Sequence, residues 1–206
     1  MQSNNRGTVL MVGEAIDGHL SAGTRDRGRM ALNLAERLGG RPVGVLIGYE
    51  SESAAHTWSA AAGISVIALE HAHCRFPNPT ITASGVVDLV DEYAPRAVCF
   101  PHTMRPCHAA AALAFQLNVP CVTAVEAVAE KNNHFELKRS IFGGKLCRTV
   151  SVGQTPLVMT VMPGMGSPSL PAAAPGSPLS VETRSLPDAD HGVIPQRIDR
   201  RRDADQ

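Results

Sequence analysis

Residues 139–164 decide the fold, and they read RSIFGGKLCRTVSVGQTPLVMTVMPG. Gly143 and Gly144 stand between two runs rich in Ser, Thr, Val and Met, at residues 146–152 and 157–162. These residue types favour strands, and glycine and proline mark the breaks between them. The pattern predicts two short strands that are joined by a turn.

Upstream of this stretch, short apolar runs alternate with segments whose apolar residues recur at helical spacing. The predicted strands are residues 8–13, 43–48, 64–69 and 97–100, and the predicted helices are residues 30–38, 51–62, 80–93 and 108–117. Strands that alternate with helices indicate a parallel sheet with helices on both faces. The sequence therefore predicts an α/β fold, a Rossmann-like three-layer parallel sheet.

From Cys121 the pattern changes, because four strand-like segments follow one another without a helix. They are residues 122–128, 135–141, 146–152 and 157–162. We expect them to form an antiparallel C-terminal extension of the sheet. After Gly164 the chain becomes rich in Pro, Ser and Ala, with Pro168, Pro171 and Pro175 close together. We therefore predict an α/β domain at residues 1–165 and a linker or disordered tail at residues 166–206.

Composition excludes several classes of function. The 206 residues are 44% hydrophobic and 18% charged, and 19 basic residues balance 19 acidic ones. A net charge of +0 gives no general attraction to nucleic acid or to an anionic membrane. The five cysteines are an odd, dispersed set, which argues against a disulfide framework. With no apolar run long enough for membrane insertion and no signal-peptide layout, we expect a cytoplasmic protein.

Ligands of open α/β sheets bind outside the carboxyl ends of the strands. The candidate cofactor-binding residues therefore lie in strand-end loops: Gly13, Glu14, Thr103, Arg105, Gly143 and Gly144. The first loop, residues 13–18, matches neither a Walker loop nor the Rossmann glycine fingerprint. Nucleotide hydrolysis is therefore not expected.

Thiols and imidazoles are concentrated near the fourth strand, at Cys99, His102, Cys107 and His108. Zinc accepts such ligands, but structural zinc sites usually contain tightly spaced cysteine pairs. Buried cysteines beside solvent-facing histidines are the favoured interpretation, and no metal site is predicted. A second hypothesis is a diverged enzyme that uses the Cys107-His108 pair at a helix N-terminus, where the dipole favours thiolate.

A family motif also runs through the opening stretch. The motif reads Arg-Pro-x-Tyr-Gly-Gly-Asn/Lys, a strand, and Thr-Val-Arg-Pro-Gly. Matching or closely substituting residues are Arg139, Phe142, Gly143, Gly144, Lys145, Thr160, Val161, Pro163 and Gly164. Ser140 replaces the proline and Met162 replaces the arginine. From residue 9 to residue 164 the chain thus resembles the N-terminal domain of the electron transfer flavoprotein α subunit, with the flavin-binding C-terminal domain missing.

The resemblance implies a sheet of the adenine-nucleotide α-hydrolase-like type. It implies a scaffold that forms a heterodimer with a β-like subunit and serves electron transfer from a dehydrogenase to a quinone oxidoreductase, without being an enzyme itself. FAD would be bound only through a partner or the missing domain, and AMP is a possible ligand. Family members usually carry a glycine and two arginines in and after the loop at residues 100–108, which this chain lacks.

Two features leave alternatives open. Residues 152–155, Val-Gly-Gln-Thr, resemble a flavin-holding motif of the family, but a hairpin-like turn is the favoured interpretation, because Gly, Gln, Thr and Pro between strands need no ligand to explain them. The fold itself also permits a stand-alone adenine-nucleotide-binding or regulatory module without a redox role.

Overall fold

The computed structural model describes residues 7–21, 24, 28–132, 134–163, 179–188 and 196. The helices within these ranges are α1 (Gly28–Arg37), α2 (Glu52–Ala62), α3 (Pro79–Tyr93) and α4 (Met104–Leu117), with one 3₁₀ turn at Ala72–Cys74. The strands are β1 (Gly7–Ile16), β2 (His19–Leu20), β3 (Gly40–Gly48), β4 (Ser65–Glu70), β5 (Ala97–Pro101), β6 (Cys121–Lys131), β7 (His134–Ile141), β8 (Leu146–Val152), β9 (Leu157–Val161) and β10 (Val181–Ser185).

The strands form one mixed sheet in the order β10-β4-β3-β1-β5-β9-β6-β7-β8, and β2 pairs with β1 beside this path. Neighbours from β10 to β6 are parallel. The pairs β6–β7 and β7–β8 are antiparallel. The predicted α/β class and the antiparallel extension are therefore confirmed.

Alternating residues of β1 belong to the two hydrophobic cores of the domain, one on each face of the sheet. Val9 and Met11 belong to the cluster that α1 and α2 cover. Leu10 and Val12 belong to the cluster that α3 and α4 cover. Because successive side chains of a strand point to opposite faces, a strand buried on both faces is apolar at every position, as the run at residues 8–13 predicted.

Helix ends follow the local chemistry of the sequence. Gly63 ends α2 in a left-handed conformation, with a φ of 67°, and its amide donates a hydrogen bond to the Ser59 carbonyl. Asn78 caps α3 by accepting hydrogen bonds from the amides of Thr80 and Ile81. Helix α4 begins at Met104 rather than at residue 108, so the prediction placed its start one turn too late. Pro106 lies in that first turn, where an amide N–H has no helical partner to lose.

The predicted pairing of residues 146–152 with residues 157–162 is wrong. Strand β8 ends one side of the sheet, whereas β9 lies between β5 and β6 in its interior. The hairpin of this region joins β7 to β8 instead, with Ile141 opposite Leu146 beside the turn. Residues 152–155 are thus a connection from the edge of the sheet to its centre, not a hairpin turn.

Strand β6 bends where it passes from the parallel sheet to the antiparallel extension. The register shifts on either side of Val125, and Ala124 has a φ of 57°. Beyond the bend, Glu130 pairs with Arg96 at the start of β5 at 2.7 Å. Val128 of β6 joins the same core cluster as Leu34 of α1. The bend therefore turns the extension onto the face of the sheet that α1 and α2 cover.

Strand β10 lies in the segment that the sequence assigned to a linker or disordered tail, residues 166–206. It pairs in parallel with β4, and Leu186 packs beside Gly85 of α3, where a Cβ would lie 2.9 Å from the leucine side chain. Arg184 donates hydrogen bonds to Glu92 of α3. The sheet thus includes residues of the predicted tail. The prolines at 168, 171 and 175 and the arginines at 200–202 lie outside the described residues.

We expect Arg184→Gln to loosen β10, because the variant loses the charged hydrogen bonds to Glu92. Arg184 lowers the pKa of the Glu92 carboxyl, so this stabilisation is present above the ordinary value near 4.5 and is lost as the pH falls below it. Hydrogen exchange of the β10 amides, corrected for intrinsic rates, measures both effects. Arg41→Gln, an exposed position of β3, is the matched control, and equal β10 exchange in the two variants would contradict the prediction.

Candidate functional site

The fold points to the gap between β1 and β5 as its binding position. From β1 the chain proceeds to β3 and β4 on one side, and it returns to β5 on the other side. Open α/β sheets bind ligands at the carboxyl ends of strands where the order reverses in this way. Gly13 and Glu14 lie within the last residues of β1, and Thr103 and Arg105 follow β5, so four of the six candidates lie near this edge of the sheet.

Gly13 is surrounded by side chains of the protein itself. A Cβ at this position would lie 2.6 Å from Cγ2 of Thr24 and 3.0 Å from the ring of Trp58. Thr24 is held there because its Oγ1 accepts a hydrogen bond from the amide of Glu14 at 2.9 Å. The glycine therefore makes room for Thr24 and Trp58, both of which are buried, rather than for the phosphate of a ligand.

Glu14 and Arg105 line one cleft of about 220 Å³, together with Pro77, Pro79 and Thr82 at the start of α3. Arg105 is exposed in the first turn of α4. Thr103 precedes that helix with extended backbone, and its side chain makes no capping hydrogen bond. The arginine suits an anion, whereas the glutamate opposes one, so the charge of this cleft does not select a phosphate.

A second cleft of about 300 Å³ opens on the other face of the same strand ends. Its lining is mainly apolar and includes Met11, Trp58, Phe100 and Val161, with Thr24 as a polar residue. Ligand pockets usually span about 300–1,000 Å³. Those two volumes include open solvent, and the enclosed space is only about 10 Å³ in the first cleft and about 20 Å³ in the second, far below that range.

Gly143 and Gly144 are not brought together with the other four candidates. They form the turn between β7 and β8, have φ values of 66° and 86°, and a Cβ added to either would meet no atom within 4 Å. Positive φ explains why glycine occurs here, since other residues rarely adopt this conformation. Both glycines are exposed and line neither cleft.

A polar cluster beside this edge joins His102 and Cys107 to Thr160, which the sequence did not single out as a site residue. Thr160 of β9 is completely buried, and its Oγ1 accepts a hydrogen bond from the Ala124 amide at 2.9 Å. The same hydroxyl lies 2.8 Å from Nδ1 of His102, and Sγ of Cys107 lies 3.3 Å from that nitrogen. Thr160 belongs to the Thr-Val pair of the family motif, which is the signal that could have identified it.

The cluster corrects the enzyme hypothesis, because the imidazole beside Cys107 is His102 and not the exposed His108. An activated nucleophile needs a base that a third group orients. Here Cys107 and Thr160 approach the same nitrogen of His102, so the threonine competes with the thiol for that atom. Nothing else in the contacts of His102 supplies an orienting group within the described part of the chain.

The predicted arrangement of buried cysteines beside solvent-facing histidines is only partly observed, because Cys107 is half-buried and His102 contacts both Thr160 and Cys107. Cys99 is 1% exposed, and burial raises the pKa of its thiol. Burial also raises the pKa of Cys74 to about 12 and, together with the charge of Cys107, raises that of Cys121. Such thiols resist ionisation and therefore bind metal poorly. Within the described ranges, no group of three or more His, Cys, Asp or Glu side chains is arranged for a metal ion.

Comparison of the sequence with known protein families identifies the family of this chain. The model of the family described as "Electron transfer flavoprotein domain" matches residues 9–189. The match covers most of the 206 residues and includes β10 at its far end. The chain belongs to the electron transfer flavoprotein domain family. A search of curated proteins found no match.

Family membership confirms the resemblance at the level of the domain. Electron transfer flavoproteins imply a flavin, and the two clefts of this electron transfer flavoprotein domain do not fit FAD. Thr24 and Trp58 fill the space over Gly13, and each cleft is smaller than a dinucleotide of this kind requires.

No helix within the described ranges has the length and apolar character needed to cross a membrane.

We expect Thr160→Val to destabilise the domain by about 1–3 kcal/mol, because a buried amide at Ala124 and the ring of His102 lose their partner while the side-chain volume is kept. Thr149→Val, at an exposed position of β8, is the matched control and should change little. Urea unfolding measures both free energies. Equal values for the two variants would show that the Thr160 hydroxyl makes no net contribution.

Proposed function

We propose that this chain is an electron transfer flavoprotein α-subunit-like scaffold that acts with a β-like subunit. In this function the complex carries electrons from dehydrogenases to a quinone-linked acceptor. The observation that carries the proposal is the family match over residues 9–189, which spans the whole described sheet from β1 to β10. The matches at Gly143, Gly144 and Thr160 to the α-subunit motif support the choice of subunit.

The proposal assigns FAD to a partner chain or to a further domain. The support is the packing at the β1–β5 gap, where Thr24 and Trp58 take the space beside Gly13. A chain that fills this position with its own side chains is suited to a structural role in the complex. Flavin, when bound, would supply the redox chemistry, and the residues of this chain would supply the surface against which the flavin-bearing parts assemble.

An electron carrier rather than an enzyme also agrees with the site. Cys107 and His102 form the pair that most resembles a catalytic arrangement, but Thr160 occupies the nitrogen that the thiol would need.

We further propose a cytoplasmic protein. All five cysteines are unpaired in the structure, as is usual for proteins of a reducing compartment.

Purification from the native host under mild conditions tests the proposal. We expect a complex of this chain with a β-like subunit and the visible absorption spectrum of a flavin, because the partner would supply the FAD site that neither cleft at the described strand ends provides. The chain expressed by itself should be colourless and should bind the purified β-like subunit. A colourless monomer that does not bind this subunit would contradict the proposal.

A stand-alone adenine-nucleotide module is the second candidate, and the cleft that Arg105 shares with Glu14 is the observation in its favour. Titration calorimetry with AMP and ATP distinguishes the two candidates. We expect no binding heat, because the cleft is small and carries a carboxylate. Saturable binding of AMP that Arg105→Gln abolishes would favour the nucleotide module, and Arg41→Gln would serve as the control for a general loss of positive charge.

A further inference from the structure

The outer half of the β7–β8 hairpin, residues 138–149, differs from the rest of the molecule. We call this segment the basic hairpin. It contains the four basic residues Lys138, Arg139, Lys145 and Arg148 and no acidic residue, in a chain with a net charge of +0. The inner half of the same hairpin is anchored, because Phe135, Leu137 and Val152 are buried. The buried inner half of the hairpin thus holds an outer half in which positive charge is concentrated.

Two arginines of the basic hairpin lie directly opposite each other, Arg139 on β7 and Arg148 on β8. Like charges in opposite positions of neighbouring strands destabilise the pair. Neither arginine forms an ion pair with an acidic side chain in the part of the chain that the structure describes. Nε of Arg139 is also buried without a hydrogen-bond partner there. A carboxylate between the two arginines would satisfy this donor and relieve the repulsion.

Apolar side chains accompany these charges on the same face. Ile141 lies opposite Leu146, two positions from the arginine pair, so all four residues share one face of the hairpin. Leu146 is 56% exposed, and Phe142 in the adjoining turn is 74% exposed. The face therefore alternates between a basic pair and an apolar pair along the strand direction. A complementary strand would carry an acidic and an apolar residue two positions apart, so that both lie on this face.

Strand β8 also offers its backbone. It is the last strand on its side of the sheet, and its second edge pairs with no strand among the described residues. Six of its seven residues are at least partly exposed. A free edge of this length is a template for strand addition by another chain, and native proteins usually protect such edges. The edge and the charged face together define one docking surface.

We propose that the basic hairpin docks an acidic extended segment of the β-like subunit, which adds to the edge of β8 and places a carboxylate between Arg139 and Arg148. This inference rests on the proposed function, since it takes the partner from there. A protein strand suits the surface better than a nucleic acid does, for two reasons. The apolar pair at Ile141 and Leu146 requires a partner with apolar side chains, and Lys138 lies on the opposite face of the hairpin.

The test compares three forms of the full chain in binding to the purified β-like subunit at low and high salt. Arg148→Glu changes an exposed residue and should weaken the affinity by about tenfold or more, with the loss concentrated at low salt. Lys131→Glu is the matched control. Lys131 is exposed at the end of β6, opposite His134 at the start of β7, and so lies far from the turn between β7 and β8. It should bind as the wild type does. Hydrogen exchange should show the β8 amides protected in the wild-type complex.

The outcomes separate the two proposals. If the wild type binds the β-like subunit, but Arg148→Glu binds equally well and the β8 amides stay unprotected, the inference about the hairpin is overturned and the proposed function stands. If the wild type does not bind this subunit at all, both fall. Duplex DNA or phosphatidylserine vesicles that bind the wild type more tightly than the subunit does, and lose binding in Arg148→Glu, would instead assign the surface to those partners.

Discussion

The buried hydroxyl of Thr160 is the interaction on which the form of the sheet depends. It lies in the central strand β9 and holds both the amide of Ala124 in β6 and the ring of His102 after β5. Ala124 has a positive φ, which an alanine adopts only at a cost, so the hydrogen bond stabilises a bend that the chain would otherwise avoid. That bend separates the parallel sheet from the antiparallel extension.

The position where this fold usually binds its ligand is used for packing in this protein. Gly13 and Gly44 lie on the neighbouring strands β1 and β3, and a Cβ at either would approach the ring of Trp58 to 3.0 Å or less. The only tryptophan of the chain thus sits over two residues without side chains. A fold that retains its sheet while filling its cleft is suited to assembly, and Phe142 and Leu146 of the basic hairpin are among its exposed apolar side chains.

Much of this architecture could be predicted from the sequence, because β1, β3, β4 and the helices between them carry strong local periodicity. What could not be predicted depends on contacts between distant residues. The local pattern of β9 resembles that of any buried strand and does not specify insertion between β5 and β6. Strand β10 has few apolar residues, and its docking depends on Glu92 and Gly85 of α3. His102 lies next to Cys107 only because α4 starts at Met104.

The central position of β9 has a consequence for biosynthesis. Strands β6, β7 and β8 emerge from the ribosome before β9, although β9 must lie between β6 and β5. Until residue 161 has been synthesised, the edge of β5 lacks its neighbour and no strand pairing joins the antiparallel extension to the parallel sheet. An exposed strand edge in a nascent chain promotes misassociation. Chaperone dependence of this protein should therefore be concentrated in a late window of translation, when most of the chain exists but its sheet is still in two parts.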